Sequence, residues 1–305
     1  MKYYTLANGM RVSAVALGCM RMNNITQAQA DTVIETALEQ GINFFDHADI
    51  YGRGECEKMF GDYLKRNPSL REKIYIQSKC AIKPGEFDFS RDYIIKSVDG
   101  ILDRLNTDYL DSLLLHRPDA LMEPQEVAEA FDYLEESGKV RNFGVSNHNT
   151  MQIELLKTAV KQPISINQMQ FSIAHCPMIT APLNVNMKND ESFMHSDPVI
   201  EYSRINGILL QAWSPFRGDY NKSTFLGDYE RYGELNNKLD EIAQRYSVTS
   251  QAIASAWILR HPAGIQLISG SMNPDRIVEV CKGAEVSLTR KEWYEIYLSA
   301  GYNLP

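Results

Sequence analysis

"ITQAQADTVIETALEQGINFFDHADIYGRGE", residues 25–55, holds one complete structural unit. Thr26 and Gln29 have the spacing of a capping box, which satisfies two backbone donors at a helix start. Val33, Ile34, Ala37 and Leu38 then fall on one helical face, and Gly41 follows as a stop. "INFFD" (42–46) reads as a buried strand, and the polar run behind it as a turn. Helix, strand and polar turn together are the unit that the rest of the chain repeats.

Core strands are read at "VSAVALG" (12–18), "INFFD" (42–46), "IYIQSK" (74–79), "LDSLLLH" (110–116), "VRNFGVS" (140–146), "ISINQMQ" (164–170), "GILLQAWS" (207–214) and "IQLISG" (265–270). Helix signals stand between them. Asn273, Pro274 and Asp275 supply a cap, a first-turn proline and a first-turn acid, and Thr289 with Glu292 repeats the capping box. Eight strands alternating with helices, and no linker rich in Gly, Pro or Ser, predict one (β/α)8 TIM barrel over residues 1–305, with an N-terminal β-hairpin and a C-terminal helix. A doubly wound sheet is the alternative, but "VALGCMRM" lacks the GxGxxG of a dinucleotide fold.

Apolar residues make up 44% of the 305 and charged residues 23%, enough for a substantial core. The net charge of -8 and pI near 5.4, without a Lys/Arg cluster, argue against a nucleic-acid surface or an anionic membrane. Small molecules are the expected partners. "MKYYTLANGM" has no apolar run of signal-peptide length and no eighteen apolar residues occur together, so a cytoplasmic location is expected. Cys19, Cys56, Cys80, Cys176 and Cys281 form no CxxC pair and should be reduced. Cys80 adjoins Lys79 but faces the other way along a strand, which favours packing over reactivity. No heptad or large apolar stripe points to an extended assembly; a monomer or small homo-oligomer is expected.

In a (β/α)8 barrel the strand ends converge on one face, where active sites are built. Standing there are Gly18, Asp46, Lys79, His116, Ser146, Asn147, Gln168, Trp213, Ser214, and Ser269 to Ser271. Singly, each has a plain reading: Asp46 a turn former, Lys79 a snorkelling chain, His116 a satisfied core histidine. Jointly, with Tyr51 five residues past Asp46, they exceed what barrel stability requires. A phenol, ordinarily near pKa ~10, becomes a usable proton donor or acceptor when a cation stabilises its anion. Lys79 is that cation, Asp46 the carboxylate that holds it, and neutral His116 a donor to an oxygen where charge develops. No obvious nucleophile is present, so an electron carrier has to come from outside the protein.

"SGSMNPDR" (269–276) reads independently as an anion site, a small-residue turn opening into a capped helix, with Arg276 as a fork for phosphate. The polar stretches 171–196 and 215–232 follow the sixth and seventh strands and are candidates to cover substrate and cofactor.

"GINFFDHADIYGRGE" (41–55), Lys79, "LLLHRPD" (113–119), "GKVRNFGVSNH" (138–148), "INQMQFS" (166–172), "QAWSPF" (211–216) and "SGSMNPDRIVE" (269–279) resemble, in order and interval, the successive motifs of the aldo-keto reductase superfamily over about residues 5 to 300. Within it the chain looks most like a bacterial branch of general oxidoreductases. The resemblance implies a catalytic tetrad of Asp46, Tyr51, Lys79 and His116 that reduces an aldehyde or ketone with NADPH, or runs in reverse with NADP+; NADH is the alternative cofactor. It places Ser146, Asn147 and Gln168 on the nicotinamide carboxamide, Trp213 on the ring, and Gly18 and Met20 near the reactive end. Ser214, Phe216 and Gly218 begin the loop over the pyrophosphate. Ser269, Gly270, Ser271, Asn273 and Arg276 surround the 2'-phosphate, and Glu279 meets the adenine. Gly270 stands where many members have lysine and Val280 where they have asparagine, which leaves Arg276 as the cation that argues for NADP. Ile50, Ala81 and Arg117 line a mixed pocket with one cation, suited to dicarbonyls or other oxygenated carbonyl substrates. Two other readings are weighed: a nicotinamide-binding redox sensor with little turnover, and a metal-dependent barrel hydrolase using Asp46, His47, Asp49 and His116, which lacks the HxH pair such enzymes place on the first strand.

Overall fold

The computed structural model describes residues 1–6, 8–183, 197–218 and 224–304. Its first strands, Tyr3–Thr5 (β1) and Arg11–Ser13 (β2), pair antiparallel as a hairpin. The barrel strands are Val15–Gly18 (β3), Phe44–Asp46 (β4), Tyr75–Cys80 (β5), Ser112–Leu115 (β8), Phe143–Ser146 (β9), Ile164–Gln170 (β10), Leu209–Trp213 (β11) and Gln266–Ser269 (β12). All eight are parallel, and β12 pairs back onto β3 to close the ring. A small hairpin, Ile82–Lys83 (β6) with Glu86–Phe87 (β7), follows β5.

Helices fill the return paths: Gln27–Glu39 (α1), Glu55–Arg66 (α2), Arg91–Leu105 (α3), Pro124–Glu136 (α4), Thr150–Lys157 (α5), Pro177–Leu183 (α6), Val199–Asn206 (α7), Tyr229–Tyr246 (α8), Ser250–Leu259 (α9), Pro274–Lys282 (α10) and Arg290–Ser299 (α11). The capping boxes at Thr26 and Thr289 form, Asn273 caps α10, and Gly41 takes φ +80°. Each such cap is worth about 1 kcal/mol.

Most strand ends shift by one to three residues from the sequence reading, and three segments differ in kind. "VSAVALG" is two strands, because Ser13 pairs with Tyr3 and also accepts the Asn43 amide, so the chain changes sheets at Ala14. Residues 229–232, read as loop, are the first turn of α8, capped by Asp228. Residues 177–183 of the long loop after β10 are helical, while 184–196 and 219–223 lie outside the described residues.

The strand period of two sorts side chains between two cores. Phe44 turns inward with Ala16, Leu114, Ile166, Leu209 and Ile268, where Leu6, Met10 and Val12 of the hairpin region plug the barrel floor. Phe45 turns outward onto Phe60 of α2, ring centres 5.0 Å apart. Burying each such large side chain contributes about 1.5–3 kcal/mol. Continuing that alternation puts Asp46 inward, two residues above Phe44. All five cysteines are buried and free, and burial pushes the Cys80 thiol well above its usual range, as packing requires.

Candidate active site

Past Asp46 the chain stays pinned to β5 through His47 N–H to Gln77 O (2.8 Å) and Asp49 N–H to Lys79 O (3.0 Å). It then makes a tight turn over Tyr51–Gly54 in which Gly52, Arg53 and Gly54 all take positive φ. That turn brings the Tyr51 phenol back beside Lys79. The Lys79 ammonium, with no exposed surface, donates to Asp46 Oδ1 (2.6 Å), His47 O (2.8 Å) and the Tyr51 hydroxyl (3.3 Å). Burial opposes the charge on Lys79, but Asp46 and Tyr51 outweigh it and hold its pKa above the ordinary value. Burial pushes the Tyr51 phenol up, and Lys79 pulls against that rise.

His116 follows β8, its ring edge-on to Tyr51 at 6.0 Å. Burial, then Lys79 and Arg117, depress its pKa well below the usual range, so the imidazole is neutral. Its Nδ1 is buried without a partner, which favours the tautomer with the proton on Nε2.

Asp46 Oδ1 also accepts from Gln77 (2.6 Å) and Gln168 (3.0 Å). Both amides donate to Gln211 Oε1 as well, Gln211 donates to Gln266 (2.8 Å), and Gln266 donates to Ser13 O (2.7 Å). A row of glutamines thus runs from the tetrad to the barrel floor. Gln168, expected on the carboxamide, spends its NH2 group here and leaves its carbonyl oxygen for another partner.

Around the rim, Asn147 donates to Ser146 Oγ (2.7 Å) and accepts from the Trp213 indole (3.2 Å), which fixes the half-buried Trp213 ring. Arg117 lies 5.7 Å over that ring. Ser214 takes φ +51° and starts the turn to Arg217. Phe216 O anchors Thr224 and Phe225. A Cβ on Gly218 would meet the Tyr232 hydroxyl at 2.0 Å, and one on Gly18 would meet Ile268 at 2.8 Å, so glycine is the residue that fits both. Met20 and Ile50 are exposed, whereas Ala81 is buried at φ +85°.

At the far end Ser269 Oγ is buried and unpartnered, Ser271 Oγ accepts from Asn273 N–H (3.2 Å), and Arg276 is exposed. Glu279 is held by Thr249 and Lys282, each at 2.7 Å. Arg21, unremarked in the sequence, donates to Gly270 O (2.9 Å), and the neighbouring Arg217 adds to the burial that lowers its pKa. Gln77, Gln211 and Gln266 were also missed; glutamine at inward strand positions was the available signal. Among the described residues no three His, Cys, Asp or Glu side chains are grouped to hold a metal ion, which leaves the hydrolase reading without a ligand set.

The closed barrel thus carries at its mouth a buried acid and ammonium beside a half-buried phenol. Residues 14–297 match the model of the Aldo/keto reductase family, and the chain belongs to that family. Oxidoreductase YdhF of Escherichia coli is 34% identical over 97% of both chains. A 6-dehydroglucose reductase of Novosphingobium aromaticivorans is 34% identical over 98% of this chain and 95% of its own. In fold, an aldo/keto reductase from Klebsiella pneumoniae, solved with NADP and acetate, superposes with a TM-score of 0.75 at 21% identity, covering 97% of this chain and 94% of its own.

Proposed function

We propose that this protein reduces aldehydes or ketones to alcohols with NADPH, and that Tyr51 is the proton donor. The observation that carries the reading is one fully buried ammonium, Lys79, shared between Asp46 at 2.6 Å and the Tyr51 hydroxyl at 3.3 Å. When bound, the nicotinamide supplies a hydride to the carbonyl carbon. Tyr51 gives its proton to the oxygen, and Lys79 stabilises the phenolate left behind. Asp46 keeps Lys79 charged and in place. His116 donates from Nε2 to the carbonyl oxygen as charge gathers there. The reverse sequence oxidises an alcohol, with the phenolate as base.

The rim fits the nucleotide. Trp213, oriented by Asn147, offers a ring face; the unpartnered Ser269 Oγ and the capped start of α10 offer donors; exposed Arg276 offers a cation for the 2'-phosphate. A barrel of the same fold carrying NADP agrees with that choice. Arg117 brings a cation toward the pocket, which suits an oxygenated carbonyl, and the likeness to a 6-dehydroglucose reductase supports the same class.

The test follows NADPH absorbance with sugar aldehydes, dicarbonyls, simple ketones and quinones. Tyr51→Phe should lower turnover by roughly 100-fold or more while NADPH binding stays nearly unchanged. Undiminished turnover in Tyr51→Phe would refute the role, and NADPH binding without turnover on any carbonyl would favour the sensor reading.

A further inference from the structure

Behind the tetrad a second set of buried charges is packed between β5, α2 and α3. Glu57, with no exposed surface, accepts from Ser78 Oγ and from Nε and Nη2 of Arg104, the latter two at 2.8 Å. Asp46 accepts from the Lys79 ammonium and two amides. Asp49 lies on the turn between Asp46 and Tyr51, tied to β5 by its backbone N–H, and its Oδ1 is buried with no hydrogen-bond partner. Three carboxyl groups therefore share two cations, Lys79 and Arg104. Asp46 and Glu57 have the donor sets of carboxylates, whereas Asp49 has the Ile50 backbone as a donor and none on Oδ1. A half-buried carboxylate with one enclosed, unpartnered oxygen is costly, and the group relieves that cost by holding a proton.

We propose that Asp49 carries a proton in the working site and that its ionisation slows carbonyl reduction, which makes it a positioning residue acting through Lys79 on Tyr51. This rests on Tyr51 being the proton donor. Reduction requires Lys79 to stabilise a phenolate as Tyr51 gives up its proton. A second carboxylate beside Lys79 opposes that phenolate electrostatically and holds the proton on the phenol. While Asp49 is neutral, Lys79 faces one negative charge fewer and is more available to Tyr51.

The surroundings agree with the hydrogen-bond pattern. Burial and then the Glu57 charge push Asp49 up to about 7, while Arg104, the Ile50 backbone and Lys79 act the other way. Cys80 and Tyr93 stand close enough to feel its charge. Burial lifts Glu57 too, but Ser78 and Arg104 act against that rise.

The test pairs the wild-type protein with Asp49→Asn, which keeps the shape of the protonated acid and cannot ionise. Single-turnover NADPH oxidation should decline in the wild type across a limb centred near pH 7, and Asp49→Asn should lack that limb. Coincident normalised profiles would overturn the proposal. Independently of turnover, carbon-13 NMR of wild-type protein labelled at aspartate carboxyls should show one signal titrating near neutrality, absent from Asp49→Asn. No such signal in the wild type would overturn the proposal even if Asp49→Asn fails to fold. Should no carbonyl be turned over at all, the proposed function fails, and the NMR titration still decides the state of Asp49.

Discussion

Lys79 is wholly enclosed, and its charge survives there because Asp46, a backbone carbonyl and a phenol replace water around it. Lys79→Met should therefore abolish turnover and also cost about 3–5 kcal/mol of stability, since it strands Asp46 as a buried carboxylate. Urea unfolding checks this; a variant as stable as the parent would show that Asp46 is otherwise neutralised. Strain gathers at the same mouth. Ala81, Asn147 and Ser214 each follow a barrel strand and each take positive φ, at +85°, +58° and +51°. Left-handed backbone in such residues costs energy that packing elsewhere has to offset, and it clusters at functional sites.

Among the elements, α10 is the one on which the proposed cofactor preference depends. Its cap, first-turn proline and exposed Arg276 put a helix start and a guanidinium at one place. Arg276→Ala should weaken NADPH by roughly tenfold or more and NADH much less, as fluorescence titration would show. Equal weakening of both would mean that Arg276 does not read the 2'-phosphate. The helix and its cap were legible because they depend on neighbours within four residues. So were the eight strands and, to within one residue, their C-terminal ends, since an apolar run closing on a polar residue is a local signal. What depends on distant partners was not. The break at Ala14 is invisible in "VSAVALG", because the partner that splits it is Asn43. The glutamine row needed residues from β5, β10, β11 and β12 to be known as neighbours. The state of Asp49 needed Glu57 and Arg104, which arrive from two separate helices.

For the whole molecule, acid is the expected weakness. Burial holds His47 down to about 3 and His148 and His261 to about 4. A histidine depressed in the fold binds its proton more readily once unfolded. Its contribution is complete above the unfolded value of about 6.5 and is lost as pH falls toward the folded one. Each of the three should add a slope of up to about 1.4 kcal/mol per pH unit between about pH 6 and pH 4. Unfolding free energies measured by urea across that range check the sum; a flat profile would mean that these rings are solvated or already protonated in the native state.

The glutamine row has a direction. Its NH2 groups lead to two terminal acceptors, the Asp46 carboxylate at the top and the Ser13 carbonyl at the floor, and between them Gln211 also donates back to Gln77 Oε1 (3.2 Å). An acceptor that takes hydrogen from every side is what allows all the amides below it to keep one orientation. Asparagine at position 46 would do more than remove a charge. Its own NH2 would face donors, and the flips needed to relieve that conflict would pass from amide to amide as far as the seam where the hairpin joins the barrel.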